Sequence, residues 1–288
     1  MTMALEVLNQ LLVTVWHVAP WLAGAGVTFA VLSRWSPCNA GRPWWEKRGL
    51  MTDLCYWILS PIFTRYVRIW LTVSAAVWLF HISDGDKVID FFANGHGPVS
   101  RLPLWLQGML YLVATDFILY WIHRGFHQGF LWKYHAIHHA SEDLDWISAA
   151  RFHPLNLALG TGLVDVVALL SGISPAIFIV IGPFLTVSSC LVHANVSWTF
   201  GPLRHIFSSP VFHRWHHAAD AYDRNFGGTF AIWDVMFGTY HMPQNALPGG
   251  YGIADKAMPE GLLSQLLYPI LQDDPAVRAE PVAAGRAA

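Results

Sequence analysis

Eight histidines stand in three groups whose spacing suits metal binding. His123 and His127 form an i, i+4 pair, His135, His138 and His139 form an H-x-x-H-H group, and His213, His216 and His217 repeat that group. Helix positions three and four apart share a face, so each group is expected to gather its rings on one side of a helix. Imidazole is a neutral nitrogen ligand for iron, zinc or copper, and a few helix-borne clusters can hold two metals without a carboxylate. Eight rings are more than one ordinary metal ion can use. A solvated or pH-sensing helix face is the plain alternative for any single cluster, but it does not account for three clusters at repeated spacing. Eleven of the 15 histidines lie between His123 and His217, among them His193, which is followed by Asn195.

The elements that carry these rings lie in an unusual composition. The chain has 288 residues, of which 54% are hydrophobic and 12% charged. Soluble domains carry about 25% charged residues, so a purely water-facing globule is excluded. Lys and Arg total 17 against 19 Asp and Glu, which leaves no basic excess to neutralise phosphates and argues against nucleic-acid binding. Cys38, Cys55 and Cys190 are scattered and never paired as C-x-x-C, so neither a disulfide framework nor a thiolate metal site is encoded.

A spanning helix needs about 20 mostly apolar residues. Val7 to Ser33 holds no charge, Tyr66 to Phe80 carries only Arg68 and adjoins the apolar run Asp53 to Phe63, Leu104 to Ile122 carries only Asp116, and Phe152 to Leu203 carries only Asp165. The last stretch is long enough for two helices, and Gly172-Ile173-Ser174-Pro175 supplies a turn in its middle. The first stretch lacks a basic leader and a small-residue cleavage site and is expected to be retained. The loop with Arg34, Arg42, Lys47 and Arg48, set against the acidic loop Asp84 to Asp90, places the first loop in the cytoplasm by the positive-inside rule. Counting helices from there puts His123–His153 and His205–His241 on the same side. Most of the 15 tryptophans are expected in interfacial belts. Ser209-Pro210 reads as an N-cap and N1 proline that start the last histidine helix. The expected fold is all-α, an integral-membrane bundle with a cytoplasmic helical cap carrying the histidines. Residues 1–270 form one domain with its histidine core at about 104–241, and 271–288 form a flexible tail.

Set in order, these residues resemble a known family. Asp116…Tyr120-Trp121-x-His123-Arg124-x-x-His127, Trp132-Lys133-Tyr134-His135-x-x-His138-His139, Arg151-x-His153-Pro154, His193-x-Asn195, Ser209-Pro210-x-x-His213-x-x-His216-His217, Arg224-Asn225-Phe226-Gly227 and Trp233-Asp234-x-x-Phe237-Gly238-Thr239 look like the fatty acid hydroxylase/sterol desaturase superfamily of integral-membrane di-iron enzymes. The match runs from about Asp116 to His241. Phe226 stands where the family usually has Tyr, and the first 100 residues carry no diagnostic motif.

The resemblance implies a non-haem centre of two Fe on the cytoplasmic side, with Zn as an adventitious replacement. Its ligands would be His123, His127, His135, His138, His139, His213, His216 and His217, with His193 as a ninth. It implies O2 as co-substrate, a bilayer lipid (sterol, carotenoid, fatty acyl or related) as substrate, and a separate ferredoxin-like or cytochrome-type electron donor. Hydroxylation is the expected outcome, with desaturation of the same substrates as the alternative. No Rossmann fingerprint, flavin motif or haem-attachment signature is present for the chain to take hydride itself. Two acids are singled out as contributing to catalysis. Asp116, two turns before His123, would either orient a ligand imidazole or make a helix–helix hydrogen bond, and Asp234 would support the ligands from its family motif. His153 is either an N-terminal cap or a contact behind a ligand. Asp165 has no motif and reads as an interhelical contact. A metal transporter is the competing class, but it should place its ligands near the bilayer midplane, whereas these clusters fall outside the apolar runs.

Overall fold

The computed structural model describes residues 2–40, 43–219, 223–244, 246–253 and 258–271. Arg42 of the basic loop and residues 272–288 of the expected tail lie outside the described residues. No strand occurs among them; the one β-bridge, Ala218 to Tyr251, is isolated. The helices are α1 (Thr2–Trp35), α2 (Leu50–Trp78), α3 (Gly85–Asn94), α4 (Leu104–Phe126), α5 (Trp132–His139), α6 (Pro154–Ser171), α7 (Ala176–His193), α8 (Pro210–His216), α9 (Ile232–Met236) and α10 (Leu262–Leu271).

Four of them, α1 over Leu8–Trp35, α4, α6 and α7, are long and apolar enough to cross a membrane. The two runs read separately at Asp53–Phe63 and Tyr66–Phe80 join in the single helix α2, which continues through Pro61. That helix carries Asp53, Arg65 and Arg68 and is not among the four. Its Arg68 Nε lies 2.8 Å from Asp165 Oδ2 on α6, so Asp165 is an interhelical contact and a charged one.

Both ends of the bundle are fixed by local chemistry. At one end, α6 closes on Gly172 in the left-handed region (φ 72°), whose N–H reaches the carbonyls of Ala168 and Leu169. A Cβ at Gly172 would lie 1.7 Å from the His96 carbonyl oxygen, so only glycine fits this hairpin turn. We expect Gly172→Ala to cost more than the roughly 1–2 kcal/mol of the left-handed conformation alone and to lower the melting temperature in detergent. Gly182→Ala on α7, where a Cβ meets nothing within 4 Å, is the control that should melt like the parent.

The opposite end carries the histidines. Here the C-terminal ends of α4 and α7 and the N-terminal ends of α2 and α6 converge, joined by the segment after α1 through Ser197 N–H to the Ser36 carbonyl (2.9 Å) and Asn39 N–H to Asn195 Oδ1 (2.9 Å). An aromatic core supports this end. Trp146 is fully buried in a short turn and is ringed by Trp21, Phe29, Trp44 and Trp57. The interfacial reading of the tryptophans therefore fails for this core, where Trp57 and Trp44 give their indole N–H to the carbonyls of Ile147 and Gly26, whereas Trp16, Trp70, Trp78 and Trp105 are exposed.

Candidate metal centre

The histidine end brings nine imidazoles into two adjoining groups. The first holds His123, His127, His135, His139 and His216, and the second His138, His193, His213 and His217; within each, the potential ligand atoms lie within 4.8 Å of one another. These are the nine positions singled out in the sequence. The groups touch where His139 and His217 stack with ring centroids 4.3 Å apart.

The tertiary structure adds a division that the spacing leaves open. Neither H-x-x-H-H group presents its three rings to one place. His135 and His139 enter the first group while His138 between them enters the second; in the later helix His213 and His217 enter the second group while His216 enters the first. The two helices exchange their central histidines.

Local structure aims each ring. α4 ends at His127, so His123 and His127 project from its last turn. Ser209 caps α8 by accepting the Phe212 N–H (3.2 Å), and Pro210 starts it, so His213 and His216 lie on helix and His217 caps its C-terminus. The Nδ1 atoms are anchored to main-chain oxygens: His123 to Phe226 (2.8 Å), His216 to Arg224 (2.6 Å), His138 to Arg151 (3.2 Å) and His193 to Ser189 (2.7 Å). His127 Nδ1 lies 3.3 Å from the half-exposed Asp223 carboxylate. A ring that donates from Nδ1 carries its lone pair on Nε2, and fixing one nitrogen this way orients the other.

Those Nε2 atoms are where a metal fits. In the first group, Nε2 of all five histidines is buried without a hydrogen-bond partner. In the second, Nε2 of His138 and His193 face each other at 3.2 Å, although both rings already donate from Nδ1. Two lone pairs pointed at each other need a cation, and unpaired buried acceptors are costly without one. Burial, reinforced by the neighbouring imidazoles, holds His127, His135, His138, His139, His213, His216 and His217 well below the ordinary histidine pKa, so they stand neutral and ready to ligate.

The two acids act at one remove. Asp116 touches no imidazole: its carboxylate accepts Thr229 N–H (2.7 Å), Phe230 N–H (3.0 Å) and Trp233 Nε1–H (2.9 Å). Of its two expected roles the helix–helix hydrogen bond is the one observed, from Trp233 of α9, and the two N–H groups also tie α4 to the loop before that helix. Asp234 accepts the N–H groups of Phe226 and Gly227, each at 2.8 Å, and the Thr239 hydroxyl at 2.6 Å. It thereby sets the Phe226 carbonyl that holds His123, and burial raises its own pKa to about 6. We expect Asp234→Ala to weaken metal retention or turnover by roughly 10–100-fold, the usual effect of losing a group behind a ligand, as read by metal analysis of the purified variant. His153 is the α6 cap, accepting Leu155 N–H at Nδ1 (3.0 Å).

Two supports escaped the sequence reading. Asp53 accepts from Lys47 Nζ (2.6 Å) and from Arg151 Nε (2.7 Å), all three buried, with Ser141 and Ser148 completing the shell of Lys47. Lys47 had counted as a surface charge of the basic loop, whereas burial lowers its pKa, only partly offset by Asp53. Arg151 supplies the carbonyl for His138, so this ion cluster lies directly behind the second group. Arg214, inside the later histidine helix, is also buried; it donates to the carbonyls of Leu144 (2.9 Å) and His193 (3.0 Å) and to Asn39 Oδ1 (3.0 Å).

A cavity of about 280 Å³ opens onto both groups, reaching His123 and His135 on one side and His138, His193 and His213 on the other, with walls from α4, α6 and α7 such as Leu119, Leu157 and Leu185.

Helices long and apolar enough to cross a membrane, whose ends gather two groups of buried imidazoles beside an apolar cavity, define a membrane protein with a histidine-rich centre able to bind metal. The comparisons identify its kind: residues 108–239 match the fatty acid hydroxylase family. The chain carries a fatty acid hydroxylase domain over these residues, in keeping with its resemblance to the fatty acid hydroxylase/sterol desaturase superfamily. It is 36% identical over 179 residues to the ornithine lipid hydroxylase of Rhizobium tropici, covering 61% of this chain and 54% of that protein. It is 37% identical over 209 residues to the alkylglycerol monooxygenase of Caenorhabditis elegans, 70% of this chain and 38% of that protein. It is 26% identical over 181 residues to a delta(7)-sterol 5(6)-desaturase of Gibberella zeae, 60% of this chain and 47% of that protein. The matched region spans about half of these relatives or less. No solved structure matches the chain significantly.

Proposed function

We propose that the chain is an O2-dependent hydroxylase of a membrane lipid that uses two iron ions, one in each histidine group. The observation that carries this reading is the pair of adjoining groups beside an apolar cavity, the first with five unpartnered Nε2 atoms and the second with Nε2 atoms that face one another at 3.2 Å. His123, His127, His135, His139 and His216 would hold one ion, and His138, His193, His213 and His217 the other. Bound iron would supply the reduction of O2, with electrons from a separate ferredoxin-like or cytochrome-type donor, and the oxidation of a lipid C–H bond. The chain's own residues hold the imidazoles neutral and fix the Nδ1 atoms of His123, His138, His193 and His216 on carbonyls, with Asp234 and Asp116 bracing the loop that carries Phe226. The largely apolar walls of the cavity suit a hydrocarbon. The names of the hydroxylating relatives support a lipid substrate and oxygen insertion, and the sterol desaturase relative supports the second reading, desaturation.

Lipid extracts from cells with and without the chain, compared by mass spectrometry under ¹⁸O2, test both. A product gaining one labelled oxygen is expected. A new double bond with the label recovered only in water would move the protein to the desaturase reading, and no lipid change with both ions bound would overturn the oxidase reading.

The histidine end is proposed to face the cytoplasm, on the basic loop at α1. Cysteines replacing Glu142 and Gln244, both exposed at that end, should react in intact cells only with permeant reagents, whereas one at Asp86 on α3 should also react with impermeant ones. The reverse pattern would overturn the orientation.

A further inference from the structure

We propose that an apolar groove between α2, α4 and α6 is the side entrance through which a lipid hydrocarbon chain passes from the bilayer to the cavity at the histidine centre, an inference that rests on the lipid reading above. The groove encloses about 470 Å³ against Leu71 of α2, Ile122, Gly125 and Phe126 of α4, and Leu159 and Leu163 of α6, and none of its lining residues carries a charged or hydrogen-bonding side chain. Ile122 and Phe126 also line the cavity that reaches both histidine groups. These two side chains are a shared partition between the groove and the centre. The outer wall faces hydrocarbon: Leu159 and Leu163 are 45% and 50% exposed on a helix long and apolar enough to cross a membrane.

Small residues keep the passage open. A Cβ at Gly125 would meet nothing within 4 Å, and one at Gly162 would come within 3.5 Å of Leu71 Cδ1. The chemistry of the wall selects the occupant. A charged or strongly polar group at this depth is expensive, whereas a hydrocarbon chain leaves one apolar surroundings for another. Because lipid tails are as apolar as leucine, the chain gains little by entering and is not trapped, as a passage requires.

The test uses the full chain with metal bound, in phosphatidylcholine vesicles in which one acyl chain ends in a diazirine, photolysed without O2 and mapped by peptide mass spectrometry. Labels are expected on the groove residues Leu159 and Leu163 and on the cavity residues Leu157 and Leu185. Filling the groove with Gly125→Phe should lower the cavity labels about fivefold, since a packed groove leaves no path, while labels on Ile179 and Val180 of the α7 outer face stay unchanged. Trimming the partition with Ile122→Ala should raise the cavity labels about twofold. Should Gly125→Phe lose its metal, Leu163→Trp at the groove mouth gives the same reading. Cavity labels that are absent from the parent, or that persist in a plugged variant retaining metal, would overturn the entrance; unlabelled Leu159 and Leu163 would show that a neighbouring protein covers the groove and would overturn it too. Labelling needs no turnover, so a failure to find an oxidised product bears on the proposed activity and not on this result.

Discussion

His138→Ala, purified anaerobically with iron supplied, is expected to hold one metal per chain in place of two and to lose lipid oxidation by at least about 100-fold, while still inserting in the membrane. The second group has four histidines, and His138 is the one whose Nε2 faces that of His193 at 3.2 Å. Removing it leaves three ligands and opens the wall of the cavity. His216→Ala strikes the other group, which keeps four rings of five, so it should retain more metal than His138→Ala and lose activity to a similar extent. The pair of variants also tests the exchange of central histidines: each should deplete a different ion, separable by spectroscopy of the remaining one. Full activity in either would overturn the assignment. Zinc in an overexpressed sample would not, because Zn²⁺ outcompetes Fe²⁺ for nitrogen ligands in the usual affinity order.

The second large effect lies outside the histidines. Asp53→Ala would leave Lys47 and Arg151 buried without their shared carboxylate, and breaking a buried ion pair from one side costs about 3–5 kcal/mol. That corresponds to a melting temperature lower by roughly 6–20 °C. The loss should reach the centre as well, because the Arg151 carbonyl holds His138 at 3.2 Å. Asp53→Asn keeps acceptor oxygen but not charge and should fall between the parent and Asp53→Ala. A melting curve of Asp53→Ala that overlays the parent would show that the cluster contributes no net stability.

Features written within a few residues were legible in the sequence. Gly172 and Pro175 marked the hairpin because a left-handed turn is a local requirement, and Ser209-Pro210 marked the start of α8 because a cap bonds its own first turn. Eight of the nine histidines were legible because their spacing repeats, and His193, which stands alone, was added by the family resemblance. The Lys47–Asp53–Arg151 cluster was not, because Asp53 and Arg151 are 98 residues apart and neither the family motif around Arg151 nor the apolar run at Asp53 says that they meet. Asp116 stood out, but its partners Thr229 and Trp233 lie more than 100 residues away, so the sequence left both an imidazole contact and a helix–helix hydrogen bond open, and only packing chose the latter.

By itself, then, the sequence determined the all-helical class, the apolar runs, the positions of the nine imidazoles and the family resemblance. It did so through periodicity, composition and motif order, which need no knowledge of what faces what. Only the tertiary structure decided how the rings divide. With about 3.6 residues per turn, His135 and His139 point within about 40° of each other and His138 stands about 60° to one side of His135. That angle permits either one shared group or two. Which occurs depends on the helix opposite, and α8, presenting His216 towards the first group and His213 and His217 towards the second, splits the triad. The same holds for the anchoring carbonyls of Phe226, Arg224, Arg151 and Ser189: any residue has a carbonyl, and only the packing of distant segments chooses which of them a histidine meets.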